Sequence, residues 1–194
     1  MRSIINLFNE IGMLAKTPRS GFAFLGSGKQ NVAEHSFRMA LIGFALANLA
    51  DEPIDRHKLL LLCLFHDLPE ARTSDLNYVN KKYVHVDDAK VLKEIAESSP
   101  FGEEIVDYIE EFELAETTEA KLAKDADQLE FLLMLKEEHD TGNPRAMDWF
   151  DITKQRLRTS LGQKLAEEIR NTPFDAWWLN NKEDPHWIHG KVKK

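Results

Sequence analysis

Cysteine is almost absent from this chain: one residue, Cys63, occurs among 194, so no intramolecular disulfide can form. Its place inside the run Leu59 to Phe65 reads as a small buried hydrophobe in a reducing compartment, which makes a cytoplasmic location the expectation. Long apolar runs are missing too. Ala40 to Ala47 and Leu59 to Phe65 fall well short of the roughly 18 to 20 residues needed to cross a bilayer, and Met1 to Glu10 is broken by polar residues too early for the apolar region of a signal peptide. Positive charge is in deficit, with 25 Lys and Arg against 33 Asp and Glu and a formal net charge of −8, which argues against nucleic acid polymers and anionic membranes as partners. Gly26-Ser27-Gly28-Lys29 lacks the spacing of a Walker-type phosphate loop and follows no strand. No Ser-His-Asp pattern supports nucleophilic catalysis.

Strand-like alternation is scarce as well, whereas apolar residues recur at helical spacing almost throughout, and 43% hydrophobic content suffices for one substantial core. The expected fold is all-α, a single compact helical bundle over residues 1–180 followed by a flexible tail over 181–194. Helices are expected at about 3–15, from the Asn31/Glu34 cap to Ala50, from the Asp55 cap to His66-Asp67, at 69–72, 86–97, 102–114, 118–140 and 144–170. Pro18, Gly21, Gly26 and Gly28 predict an irregular loop over 16–29. Trp177 and Trp178 are expected to dock on the body.

Within this apolar pattern three segments each carry a polar residue of metal-ligand type toward the core. His35 lies in the helical stretch Val32 to Leu49, His66-Asp67 ends the leucine-rich helix, and Asp127 lies in Ala123 to Leu135. Buried charge is costly unless paired or metal-bound, and two imidazoles with carboxylates form a mixed nitrogen and oxygen shell for one divalent cation.

The order H, HD, D, with 31 residues from His35 to His66 and 60 from Asp67 to Asp127, resembles the HD-domain superfamily of metal-dependent phosphohydrolases. Resemblance is closer to the branch of the bacterial 5′-deoxynucleotidase. It is carried by Pro18-Arg19-Ser20-Gly21-Phe22, Asn31-Val32-Ala33-Glu34-His35-Ser36, His66-Asp67-Leu68-Pro69-Glu70, Asp75-Leu76, and Lys124-Asp125-Ala126-Asp127-Gln128-Leu129-Glu130. The resemblance implies His35, His66, Asp67 and Asp127 as ligands of one divalent ion (Mn, Co, Fe, Ni, Zn or Mg). It implies Glu70 as the acidic residue beside the nucleophilic water and leaving oxygen, and Arg19 as the residue orienting the phosphate. Asp67 and Asp127 would border the substrate, and Asp75, Leu76, Asn77 and Tyr78 would hold the nucleoside. Ser20 stands where the bacterial enzyme has a tryptophan that helps to exclude ribonucleotides, and Glu111 lies near the place of another acidic residue of the family.

The implied activity is removal of the 5′-phosphate from nucleoside or deoxynucleoside monophosphates by a metal-activated water, in a homodimer. Two alternatives stand beside it: hydrolysis of another phosphoester such as a cyclic or signalling nucleotide, and a non-catalytic helical binding protein with a structural metal.

Overall fold

The computed structural model describes residues 1–190, with the backbone alone at His189. The described residues form helices and connecting turns, with one isolated bridge between Pro18 and Asn31 and no strand. The helices are α1 (Arg2–Ile11), α2 (Gly21–Leu25), α3 (Val32–Leu49), α4 (Arg56–Phe65), α5 (Glu70–Thr73), α6 (Asp88–Ser98), α7 (Gly102–Leu114), α8 (Thr118–Asp140), α9 (Ala146–Lys154), α10 (Ser160–Asn171), α11 (Ala176–Leu179) and α12 (Pro185–His189). No described helix is long and apolar enough to cross a membrane.

The 23-residue α8 is the axis of the bundle and packs against α3, α4, α7, α9 and α10. Its Leu122, Leu129, Leu132 and Leu135 are buried together with Met39, Leu46, Leu59, Leu62 and Phe150, each such side chain contributing about 1.5–3 kcal/mol on leaving water. Local chemistry sets the helix starts. Asn31 accepts from the Glu34 amide while Glu34 accepts from the Asn31 amide, a complete capping box. Asp55 and Thr117 cap α4 and α8 through the amides of Lys58 and Ala120. α3 and α4 approach closely at Gly43, where a Cβ would come within 2.8 Å of Cys63 Sγ. A second, smaller cluster of Leu7, Leu14, Val32, Leu68, Ile95, Ile105 and Ile109 joins α1, α6 and α7 to the start of α3.

Four expectations change. The first helix stops at Ile11, and Leu14–Lys16 continues as a 3₁₀ turn after Gly12. The loop expected over 16–29 contains α2, because Phe22 and Leu25 bury one turn against the core and Gly26 (φ 87°) then ends it. The long helix expected over 144–170 is broken between Lys154 and Ser160. There the buried Asp125 carboxylate accepts the amides of Arg158 (2.6 Å) and Thr159 (3.0 Å) and the Thr159 hydroxyl (2.5 Å), so the chain unwinds to supply donors to a buried charge. A Cβ at Gly162 would collide with the same carboxylate. Trp177, 83% exposed, does not dock on the body, and the Trp178 ring packs on Trp187 of α12 (ring centroids 5.6 Å apart). The expected tail thus contains a short helix, and its last four residues lie outside the described ones.

Candidate metal centre

His35 sits in the first turn of α3, His66 caps the C-terminal end of α4, Asp67 follows it, and Asp127 lies midway along α8. His35, His66 and Asp127 each bring a ligand atom within 4.8 Å of the others. The pairing of the three core helices therefore converges two imidazoles and a carboxylate on one point. Asp67 borders this group: its Oδ2 lies 3.1 Å from His66 Nε2, 3.7 Å from His35 Nε2 and 3.1 Å from a guanidinium nitrogen of Arg19.

Each ring is oriented from behind. His66 Nδ1 lies 3.0 Å from the Cys63 carbonyl oxygen, which requires Nδ1–H as the donor. His35 Nδ1 lies 2.6 Å from Glu130 Oε2. Both Nε2 atoms are buried and lack a hydrogen-bond partner. His35 Nε2 has Asp127 Oδ1 at 3.3 Å, outside hydrogen-bond geometry. Two buried imidazole Nε2 atoms without hydrogen-bond partners, facing a shared carboxylate, are what one divalent cation needs, and the donor set suits a borderline or hard ion.

Charge is concentrated here. Burial alone would weaken the Arg19 cation, but Asp67, then Asp127, Asp75 and Glu70, hold it well above the usual arginine range. Burial opposes ionisation of Asp67 and Asp127, yet His66, Arg19 and His35 hold Asp67 well below the carboxylate range, and chiefly His35 brings Asp127 down to about 2. Against burial and the Arg19 charge, Asp127 and Glu130 raise His35 to about 9. Glu70 goes the other way, pushed up to about 8 by burial and by the charges of Asp67 and Asp75. Its Oε2 is buried without a partner.

Arg19 and Ser20 reach the cluster on the segment before α2. The Arg19 amide donates to the Gln30 carbonyl (2.8 Å), and the Val32 amide to Thr17 (3.0 Å). Ser20 ties this segment to the chain after α5. Its amide donates to Asp75 Oδ2 (2.6 Å), and its hydroxyl oxygen accepts the Asn77 amide (3.0 Å) and side-chain NH₂ (3.0 Å). Asn77 Oδ1 in turn accepts the amides of Val79 and Asn80. Ser74, at φ 62° and ψ 161°, opens this segment in a region that costs a non-glycine residue about 1–3 kcal/mol.

The structure thus gathers Arg19, His35, His66, Asp67, Glu70 and Asp127, with Asp75 and Asn77 beside them through Ser20. Leu76 is half-buried, while Tyr78 is 70% exposed, its ring under the Lys82 ammonium. Glu111 accepts from Lys58 (2.7 Å) and Thr117 (2.5 Å) and stands outside the three-residue group. Sequence reading singled out no role for Gln30, Arg38 or Glu130. For two of them the signal is helical: Arg38 lies three residues after His35, and Glu130 three after Asp127, so each shares a face with a ligand-type residue, whereas Gln30 lies in the turn before α3 and carries none.

Fold and cluster together define an all-helical domain built around a mixed imidazole and carboxylate centre fit for one divalent ion. The model of the HD domain family matches residues 11–171, and the chain belongs to that family. It is 27% identical to the 5′-deoxynucleotidase HDDC2 of Homo sapiens over 87% of this chain and 85% of that protein. It is 29% identical to the 5′-deoxynucleotidase hdd1 of Schizosaccharomyces pombe over 99% and 96%. A solved structure of a conserved hypothetical protein from Pyrococcus furiosus superposes with a TM-score of 0.73 at 29% identity, covering 87% of this chain and 99% of that one.

Proposed function

We propose that this chain is a metal-dependent phosphohydrolase that removes the 5′-phosphate from nucleoside or deoxynucleoside monophosphates. The observation that carries the reading is the pair of partnerless Nε2 atoms of His35 and His66 facing Asp127, with Arg19 beside them. The 5′-deoxynucleotidases to which the chain is similar over most of its length support the reaction class.

His35, His66, Asp67 and Asp127 would hold one divalent ion, with Asp67 also paired to Arg19. When bound, such an ion supplies a water of lowered pKa and positive charge for the phosphoryl oxygens. Arg19 presents a permanently charged planar donor set to the phosphate, and its pairing with Asp67 aims it before substrate arrives. In an acidic protein this local cation is what an anionic substrate meets. Glu70, raised in the metal-free site by burial and by the charges of Asp67 and Asp75, would hold a proton for the departing 5′ oxygen. Asp75 and Asn77 accept or donate at the nucleoside, on a segment that Ser20 holds beside Arg19. Ser20 stands where the bacterial relative has an aromatic ring, so both sugars belong in the substrate test.

The protein is further proposed to be cytoplasmic, as its single buried cysteine suggests, and homodimeric. Phe37, Leu41 and Phe44 recur at helical spacing on α3 and are each half or more exposed, an apolar stripe suited to a second copy; sedimentation at micromolar concentration would show a dimer. The function is tested by phosphate release from a panel of deoxynucleoside and nucleoside 5′-monophosphates with Mn or Co added. Folded, metal-loaded protein that releases none rejects it.

A further inference from the structure

Glu130 is wholly buried on α8 and receives three donors. Its Oε2 faces His35 Nδ1 at 2.6 Å. Its Oε1 accepts the side-chain amide of Gln30 (2.6 Å) and the Arg38 guanidinium, with Nε at 2.8 Å. Gln30 is the residue whose carbonyl also accepts the Arg19 amide, so one carboxylate is linked to both the ion side and the phosphate side of the site. A buried carboxylate with this many donors is not explained by packing, since an apolar side chain would fill the space between α3 and α8 without the desolvation penalty.

We infer that Glu130 is a positioning residue of the metal centre: it holds the proton of His35 on Nδ1 and so keeps the Nε2 lone pair turned toward the ion. The inference rests on the proposed ion at His35, His66 and Asp127. Arg38 and Gln30 occupy Oε1 and leave Oε2 to the ring, which fixes the carboxylate's rotation as well as its charge. His66 lacks this device, since its Nδ1 faces only the Cys63 carbonyl. His35 is therefore the ligand whose orientation and basicity are set by a charge.

Glu130→Gln keeps the shape and removes the second acceptor oxygen. Its NH₂ must then face either Arg38 and Gln30, which are donors, or His35 Nδ1, which shifts the ring proton to Nε2 and blocks the ion. Calorimetric titration of chelator-stripped protein with Mn is expected to show a ten- to hundredfold weaker affinity for Glu130→Gln, and a smaller loss for the half-exposed Arg38→Gln, with circular dichroism unchanged. Imidazole nitrogen and proton NMR of the wild-type protein loaded with Zn should show a slowly exchanging, strongly downfield His35 Nδ1–H. That spectrum carries the test even where Glu130→Gln fails to fold. Wild-type affinity in a folded Glu130→Gln, or a wild-type His35 without the Nδ1 proton, overturns the inference while the metal reading stands. A wild-type chain that binds no Mn or Zn overturns both.

Discussion

On the ion side of the site, His35, His66 and Asp127 stand on or at the end of α3, α4 and α8, and their orientation follows from helices whose facing residues are buried. On the opposite side, which the proposal gives to the phosphate, Arg19, Ser20, Glu70 and Asp75 stand on a short segment before α2, a one-turn helix and an irregular stretch, held together by a few polar contacts. Close packing gives the first side a fixed geometry and a high cost of opening. Hydrogen bonds of about 0.5–1.5 kcal/mol each hold the second. The division suits a centre that must keep an ion while admitting and releasing a nucleotide.

The largest effect is expected from breaking the ion side. His66→Ala or Asp127→Ala should abolish metal binding and phosphate release together, by about 1,000-fold or more, because the charge that the ion supplies is worth several kcal/mol; metal analysis after gel filtration, run beside the activity assay, checks this. Glu70→Gln sharpens the contrast from the other side. Metal content should stay at the wild-type level while turnover falls about 100- to 10,000-fold, the usual worth of a positioned acid.

The pH response of metal-free protein is next. His35 is raised from 6.5 to about 9, so its contribution to stability is full below pH 6.5 and is lost as pH rises through 9. Glu70 is raised from 4.5 to about 8, so the folded state holds a proton that the unfolded state has released, and stability again falls as pH rises between those values. Asp127, lowered from 3.8 to about 2, loses its contribution only in that acid range. Both raised groups act in one direction, so the unfolding free energy of chelator-treated protein, obtained from urea titrations, should fall between pH 5 and 9 by several kcal/mol at about 1.36 per pKa unit. Adding metal should reverse the trend, since an ion on His35 Nε2 takes the proton's place. A flat profile would show that the cluster's charges do not govern stability.

The smallest effect is expected where Ser20 ties its segment to Asp75 and Asn77. Ser20→Ala removes the hydroxyl that accepts from Asn77 and should change global stability by less than about 1.5 kcal/mol. Amide exchange over residues 74–82 should nevertheless quicken while exchange in α8 stays unchanged. Equal quickening in both would erase the contrast between the two sides.

Much of this was legible in the chain because its causes are local. Asn31 and Asp55 cap the helices whose apolar spacing follows them, and a His-Asp pair, common by chance on its own, gains its meaning from His35 and Asp127 in neighbouring apolar stretches. The rest depends on contacts distant in sequence. The break between α9 and α10 has no proline and no glycine at Gln155 to Thr159, and its cause is Asp125, more than thirty residues upstream. α2 forms in a glycine-rich stretch because Phe22 finds Phe131 and the core, not because its residues favour helix. Glu130 stands in a motif that carries the resemblance, but nothing in the sequence gives it a role. Only the pairing of α8 with α3 places it behind His35. Trp177 and Trp178 look like core residues by type, yet the short helices near the chain end leave both exposed.

The central claim, that one ion held by His35, His66 and Asp127 drives phosphate release, is tested most directly by adding Mn stepwise to chelator-stripped protein while following bound metal and phosphate release from a deoxynucleoside 5′-monophosphate in the same samples. Activity absent without metal, rising in step with binding and levelling at one ion per chain, is the predicted result. Undiminished release from metal-free protein, or one tightly bound ion with no release, would contradict it.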